Sequence, residues 1–210
     1  MTPAPNQDGG SPPDRPLRPH YRERDLVPNG PRFDQIHERD LMSGLYPCIH
    51  VDTGFVEVAP HRFSNSVDLN ITPGQLFQVL GDAGSWPKWA KVITGVRWTS
   101  PEPRGVGTTR TVSMRAGITG NEEFLAWEPD SHMAFRFNEC STRGITAFAE
   151  DYRIVPTTAG CRLTWTLAMS GDTVTNLSIK LVRPLMNLAF RWFLRNLRKL
   201  TDLQFASTPA

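Results

Sequence analysis

The sequence predicts an α+β fold: one curved antiparallel sheet of about seven strands, wrapped around a long C-terminal helix. Three observations predict it. From His61 to Ile71 apolar and polar residues alternate strictly, the period-two mark of a half-buried strand. Six further strand signals follow at 92–99, 107–116, 118–128, 132–139, 145–155 and 161–169, each bounded by turn residues. The chain then changes period and keeps a helical pattern from Asp172 or Thr173 to Phe205.

The 210 residues are unevenly composed. Residues 1–31 hold eight prolines and three glycines, with four acids against four arginines. So little apolar surface does not repay the entropy of ordering, and the stretch is read as a disordered Pro-rich tail. Residues 32–54 are read as a linker. Within it Phe33, Ile36 and Leu41 share a face of a short amphipathic helix over 33–42, marginal on its own. The patterned domain spans 55–206.

In the first strand Phe63, Val67, Leu69 and Ile71 fall on one side, and Arg62, Ser64, Ser66, Asp68 and Asn70 on the other. Thr72-Pro73 then supplies an N-cap and a first-turn proline, opening a helix through Leu76, Phe77 and Leu80 that Gly81 and Gly84 end. A second short helix carries Trp86, Pro87 and Trp89. Among the later strands, Met133, Phe135 and Phe137 share a face, as do Leu163, Trp165, Leu167 and Met169. Short connections imply an antiparallel meander. The final helix holds Leu177, Leu181, Leu185, Leu188, Trp192, Leu197, Leu200 and Leu203, with Pro184 as an expected kink. A sheet of this size cannot close a core alone, so this helix must cover its concave face.

Composition excludes several function classes. Lys plus Arg is 23 and Asp plus Glu is 21, a net charge of only +2, which argues against a nucleic-acid partner. Cys48, Cys140 and Cys161 are too scattered for a disulfide framework or a zinc site, and the five histidines show no metal-ligand spacing. No metal or cofactor is expected. The first 30 residues contain no apolar run, and no stretch approaches a membrane span, so the chain is read as cytoplasmic. No Gly-x-Ser-x-Gly, His-Glu-x-x-His or P-loop occurs, and Gly105-Val106-Gly107 reads as a turn between strands.

Polar residues on inward strand faces are the candidates for chemistry. If Leu125 and Trp127 point inward, parity brings Glu123 and Asn121 with them; if Phe148 and Ile154 do, so do Glu150 and Tyr152. A carboxylate facing apolar surroundings has a raised pKa and can serve as a general acid or base. The competing reading is that Glu123 and Glu150 sit near strand ends, are solvated, or pair with Arg110 or Arg136. A β-bulge would exchange 122 for 123, or 151 for 150.

The element order and several segments resemble the START-like, or SRPBCC, superfamily, and within it the polyketide cyclase/dehydrase and lipid transport group. The resemblance covers about 55–206 and rests on five segments. These are Ser66-Val67-Asp68-Leu69-Asn70-Ile71-Thr72-Pro73, Gly81-Asp82-Ala83-Gly84-Ser85-Trp86-Pro87-Lys88-Trp89, Gly105-Val106-Gly107-Thr108, Trp127-Glu128-Pro129-Asp130 and Cys161-Arg162-Leu163-Thr164-Trp165. It implies a helix-grip fold with an apolar cavity between sheet and helix. The cavity lining is then Trp86, Trp89, Met114, Leu125, Trp127, Met133, Phe135, Phe137, Phe148, Leu163, Trp165, Leu181, Leu185 and Met186.

Three readings of function follow. The first is binding or carriage of a hydrophobic small molecule, lipid-like or polyketide-like, and it is preferred because no acid–base pair stands out. The second is a polyketide cyclase, aromatase or dehydratase using Glu150, Glu123 and Tyr152, with Arg110 as partner for an anion or carbonyl. The third is a peripheral membrane or protein-interaction module. Between 173 and 206 lie Lys180, Arg183, Arg191, Arg195, Arg198 and Lys199 against one acid, Asp202, so the region 180–199 suits an anionic surface. A solvated polar face is the plainer account of the same charges.

Overall fold

The computed structural model describes residues 44–205. The expected tail over 1–31 and the short helix over 33–42 lie outside the described residues.

The alternating segment forms strand β2 (His61–Leu69), with Phe63 and Leu69 buried and Arg62, Ser64, Ser66 and Asp68 exposed. Thr72 caps helix α2 (Pro73–Gly81). Its hydroxyl accepts from the Gln75 N–H at 3.2 Å, while the Gln75 side chain accepts from the Thr72 N–H at 2.9 Å. Asp82 turns the chain after this helix, accepting from the Gly84 N–H at 2.9 Å and the Ser85 hydroxyl at 2.7 Å. The single-turn helix α3 (Trp86–Trp89) follows.

Six strands then run back and forth: β3 (Ile93–Trp98), β4 (Thr109–Met114), β5 (Thr119–Glu128), β6 (His132–Cys140), β7 (Ile145–Thr157) and β8 (Gly160–Gly171). All pair antiparallel, in the spatial order β2-β8-β7-β6-β5-β4-β3. β2 therefore pairs with the last strand, and α2 and α3 carry the chain across to the far edge at β3. Within the sheet, β5 and β6 approach closely at Gly120. A Cβ there would lie 2.7 Å from the Phe137 ring, which stacks on Phe148 at 4.0 Å.

Two elements carry no sequence signal of their own. The strand β1 (Tyr46–Pro47), in the segment expected as linker, pairs with the end of β6. Its continuation places Cys48 beside Cys140, a contact that lowers the Cys140 thiol. The turn of helix α1 (Phe55–Val58) packs Val56 on Ala149 and Ala168, side chains of opposite parity to Phe148 and Leu167. That parity marks the convex face of the sheet.

Helix α4 (Thr173–Phe205) begins at Asp172, whose carboxylate accepts from the Thr175 N–H at 2.8 Å, and it runs through Pro184. It packs chiefly on β2, and less on α3 and β8. Ile179, Phe190, Phe193, Leu194 and Leu197 form its buried face. Leu181 and Leu185, expected to line the cavity, are 82% and 66% exposed and point away from the sheet. The helix carries apolar residues on two opposite faces, and periodicity alone does not say which one meets the sheet.

Candidate functional site

The concave side of the sheet is an aromatic enclosure around a few polar groups. Trp86 and Trp89 enter from α3, their ring centroids 5.1 Å apart. Trp86 is held by its indole N–H, which donates to the Leu80 carbonyl at 2.9 Å. Tyr152 on β7 stacks between Trp165 on β8, at 5.7 Å, and Phe135 on β6, at 5.8 Å. Phe190 closes the group from α4, with its ring 4.8 Å from Trp165.

Arg110 lies inside this enclosure. Its side chain is fully buried, and the guanidinium carbon stands 4.4 Å from the Trp86 ring, 4.5 Å from Phe135 and 4.9 Å from Phe124. Its Nε donates to Glu122 Oε2 at 2.5 Å. The register explains the pairing: β4 and β5 fold back symmetrically about Ala116, so Arg110 stands directly opposite Glu122. Burial pushes the Glu122 carboxyl up, against the pull of the Arg110 charge.

The remaining donors have no acceptor. Arg110 Nη1 and Nη2 and the Trp89 indole Nε1 are buried and unpaired among the described residues. A buried donor without a partner costs about 1–3 kcal/mol, so three on one face call for an explanation.

Glu150 is the second polar group. Its Oε2 accepts the Tyr152 hydroxyl and, at 3.0 Å, the Trp165 indole N–H. Burial pushes its carboxyl up to about 8; the Glu122 charge adds to the rise, while the two hydrogen bonds and Arg110 oppose it. At neutral pH the group is thus mainly a carboxylic acid. Burial likewise holds the Tyr152 phenol well above its ordinary value, with the neighbouring Glu150 charge acting in the same direction.

Of the expected site residues, Arg110, Glu150 and Tyr152 come together, and Glu123 does not join them. Glu123 lies on the convex face, accepting from Asn138 at 2.8 Å and Arg136 at 3.0 Å, and those donors hold its carboxyl below the usual range. The cause is a bulge: the β5–β6 register shifts between Phe124 and Ala126, so Phe124 and Trp127 both reach the concave side. Glu122 takes the inward place, and Leu125, at the bulge, stands outside the core. Trp86, Trp89, Met133, Phe135, Phe137, Phe148, Leu163 and Trp165 are buried in the core, with Met114, Trp127 and Met186 half-buried against it. Sequence reasoning offered position 122 only as the alternative a β-bulge would bring in, and it missed Phe124 and Trp98, whose ring lies under both Arg104, at 3.8 Å, and Arg110, at 5.6 Å. The available signal was the symmetry of the 109–123 hairpin, which sets opposite charges face to face.

Two clefts open at the rim, each joined to the polar centre by touching rings. One, of about 490 Å³, lies between Trp192 and Phe193 of α4 and Lys91, Val92 and Arg115. From it Phe193, Phe190 and Trp165 lead to Glu150. The other, also about 490 Å³, lies between Phe77, Gly81, Trp127 and Arg104, and Trp127 and Phe124 lead from it to Arg110. A wider depression of about 600 Å³ has Arg97, Thr111, Asn121 and Glu139 in its lining and also reaches Arg110 and Glu122.

Residues 60–201 match the family described as polyketide cyclase / dehydrase and lipid transport. An uncharacterized protein of Mycobacterium tuberculosis is 59% identical over 163 residues, covering 78% of this chain and 98% of that one. An uncharacterized protein of Mycobacterium bovis matches to the same extent. The fold is similar to that of a START superfamily protein from Mycobacterium smegmatis, with TM-score 0.58 and 12% identity over 69% of this chain and 99% of that one. It is also similar to the di-domain ARO/CYC of the steffimycin biosynthetic pathway, with TM-score 0.53 and 13% identity over 68% of this chain and 51% of that one. At such identities the structural likeness shows the fold alone. The curled sheet gripping a C-terminal helix and the match over 60–201 together place this chain in the polyketide cyclase/dehydrase and lipid transport family of the START-like superfamily.

Proposed function

We propose that the protein binds a hydrophobic small molecule, lipid-like or polyketide-like, whose carbonyl or carboxylate oxygen is taken by Arg110 on the concave side of the sheet. The observation that carries this reading is the set of three buried, unpaired donors on Arg110 and Trp89, surrounded by aromatic rings. All three lack an acceptor, so the complementary ligand brings one. Apolar rings around a few fixed polar groups are the usual composition of a small-molecule site. Burying about 300 Å² of apolar ligand surface is worth about 7 kcal/mol before association costs. A charge-assisted hydrogen bond to Arg110 adds to this and supports micromolar binding.

A panel of long-chain fatty acids, fatty alcohols, the matching alkanes and aromatic polyketides, titrated by tryptophan fluorescence, tests the proposal. Ligands with a carboxylate or carbonyl should bind at least about tenfold more tightly than the matching alkanes, one such step being worth about 1.4 kcal/mol. Equal affinity, or no binding by any member, rejects it.

A second reading is cyclase or dehydratase chemistry on the same ligand. Glu150, protonated near neutral pH, would act as general acid towards a departing hydroxyl or an enolate oxygen, with Arg110 balancing the developing negative charge. Glu150→Gln would then abolish turnover while leaving ligand affinity within a few-fold.

A further inference from the structure

We infer that the outward face of α4 is a docking surface for an anionic lipid bilayer. Val174, Leu177, Leu181, Leu185, Leu188 and Trp192 are between 47 and 82% exposed. Successive members are three or four residues apart, so at about 100° per residue they form a single ridge opposite the buried Ile179, Phe190 and Leu197. The ridge is about 27 Å long at 1.5 Å per residue. An uninterrupted apolar ridge of this length on a water-soluble surface marks an interaction site.

Charge decides between occupants. From Thr173 to Thr201 the helix carries no acid, and Lys180, Arg191, Arg195 and Arg198 line one flank of the ridge. Pairing the ridges of two copies would crowd Lys180, Arg191 and Arg195 together, since the nearby carboxylates Asp202 and Asp68 both lie by Arg198. An anionic headgroup layer suits both features: the leucines and Trp192 enter the acyl boundary while the cations meet phosphates. At the Trp192 end the surface continues into the cleft bounded by Phe193, Val92 and two more cations, Lys91 and Arg115. Docking would therefore set this rim cleft against the bilayer, and the docking itself does not depend on what the concave site holds.

Flotation of the full chain with vesicles of phosphatidylcholine, alone and with added phosphatidylglycerol, tests the inference. Partition should be at least about tenfold greater onto the anionic vesicles and should fall as sodium chloride is raised. Leu181→Glu with Leu185→Glu should abolish it, and Lys180→Gln, Arg191→Gln and Arg195→Gln together should reduce it at least about tenfold. Both variants change exposed side chains, and unaltered thermal unfolding would confirm that they fold. Equal partition onto the two kinds of vesicle overturns the inference. So does binding that survives the ridge variant, or a dimer that the ridge variant disperses while neither protein binds vesicles.

Discussion

Arg110 and Glu122 face each other across the β4–β5 hairpin, Nε to Oε2 at 2.5 Å, with both terminal guanidinium nitrogens left unpaired in an aromatic enclosure. The pair is thus half of a contact. It neutralises the buried charge but leaves both terminal nitrogens unpaired, which suits a polar ligand group better than a purely structural role.

Removing one partner should be costly. Arg110→Met strands the Glu122 carboxyl in a buried site and should lower unfolding free energy by about 3–5 kcal/mol. Adding Glu122→Gln to it should restore much of that loss, because both buried charges are then gone. Urea denaturation of the single and double variants measures the difference, and additive losses would show that the pair is not energetically coupled.

Glu150 fixes the sign of a pH dependence. Its folded carboxyl titrates at about 8 against an ordinary 4.5, so between those values the folded state binds more protons than the unfolded state. Its contribution to stability is complete below pH 4.5 and is lost as pH rises through about 8. The melting temperature of the native protein should therefore fall relative to Glu150→Gln between pH 6 and pH 9, as read by circular dichroism in matched buffers. Parallel profiles would mean that Glu150 is ionised in the fold at neutral pH.

The two faces of α4 should respond in opposite ways to truncation. Leu197 is fully buried, and Leu197→Ala should cost about 2–5 kcal/mol. Leu181 is 82% exposed, and Leu181→Ala should change stability by no more than about 0.5 kcal/mol. Comparable losses at both positions would put Leu181 against the sheet after all.

At the other end of the domain, the reciprocal hydrogen bonds of Thr72 and Gln75 open α2, which carries Leu76 and Leu80 into the core. Thr72→Ala should lower stability by about 1 kcal/mol, measured from the urea midpoint at constant slope. No change would mean that proline at the first turn sets the helix start unaided.

Local chemistry made most of the fold legible. Period-two runs marked β2 and the β6, β7 and β8 faces, and Thr72-Pro73 marked the start of α2, because each signal is read within a few residues. On β7 parity also put Glu150 and Tyr152 on the face of Phe148. On β5 it failed at Leu125, where one extra residue in the ladder moved Glu123 to the convex side and Glu122 to the concave one. A bulge is set by the partner strand, and a single strand's pattern does not contain it. The orientation of α4 was hidden for a related reason. Both faces of that helix are apolar, and only β2 and α3 decide which one is covered. The short strand β1 leaves no pattern at all, since two residues show no period.

A ligand whose polar end is taken by Arg110 inside the ring of aromatic side chains, as proposed, must disturb the indoles around it. Indole N–H resonances of the full chain, assigned by single Trp→Phe substitutions and followed as a panel carboxylate is added, test this most directly. The Trp89 and Trp165 signals should move with a common micromolar midpoint, and Arg110→Met with Glu122→Gln should abolish both movements while the protein stays folded. Signals that stay fixed with every ligand, or movement confined to Trp192 on the outer face of α4, would contradict the account.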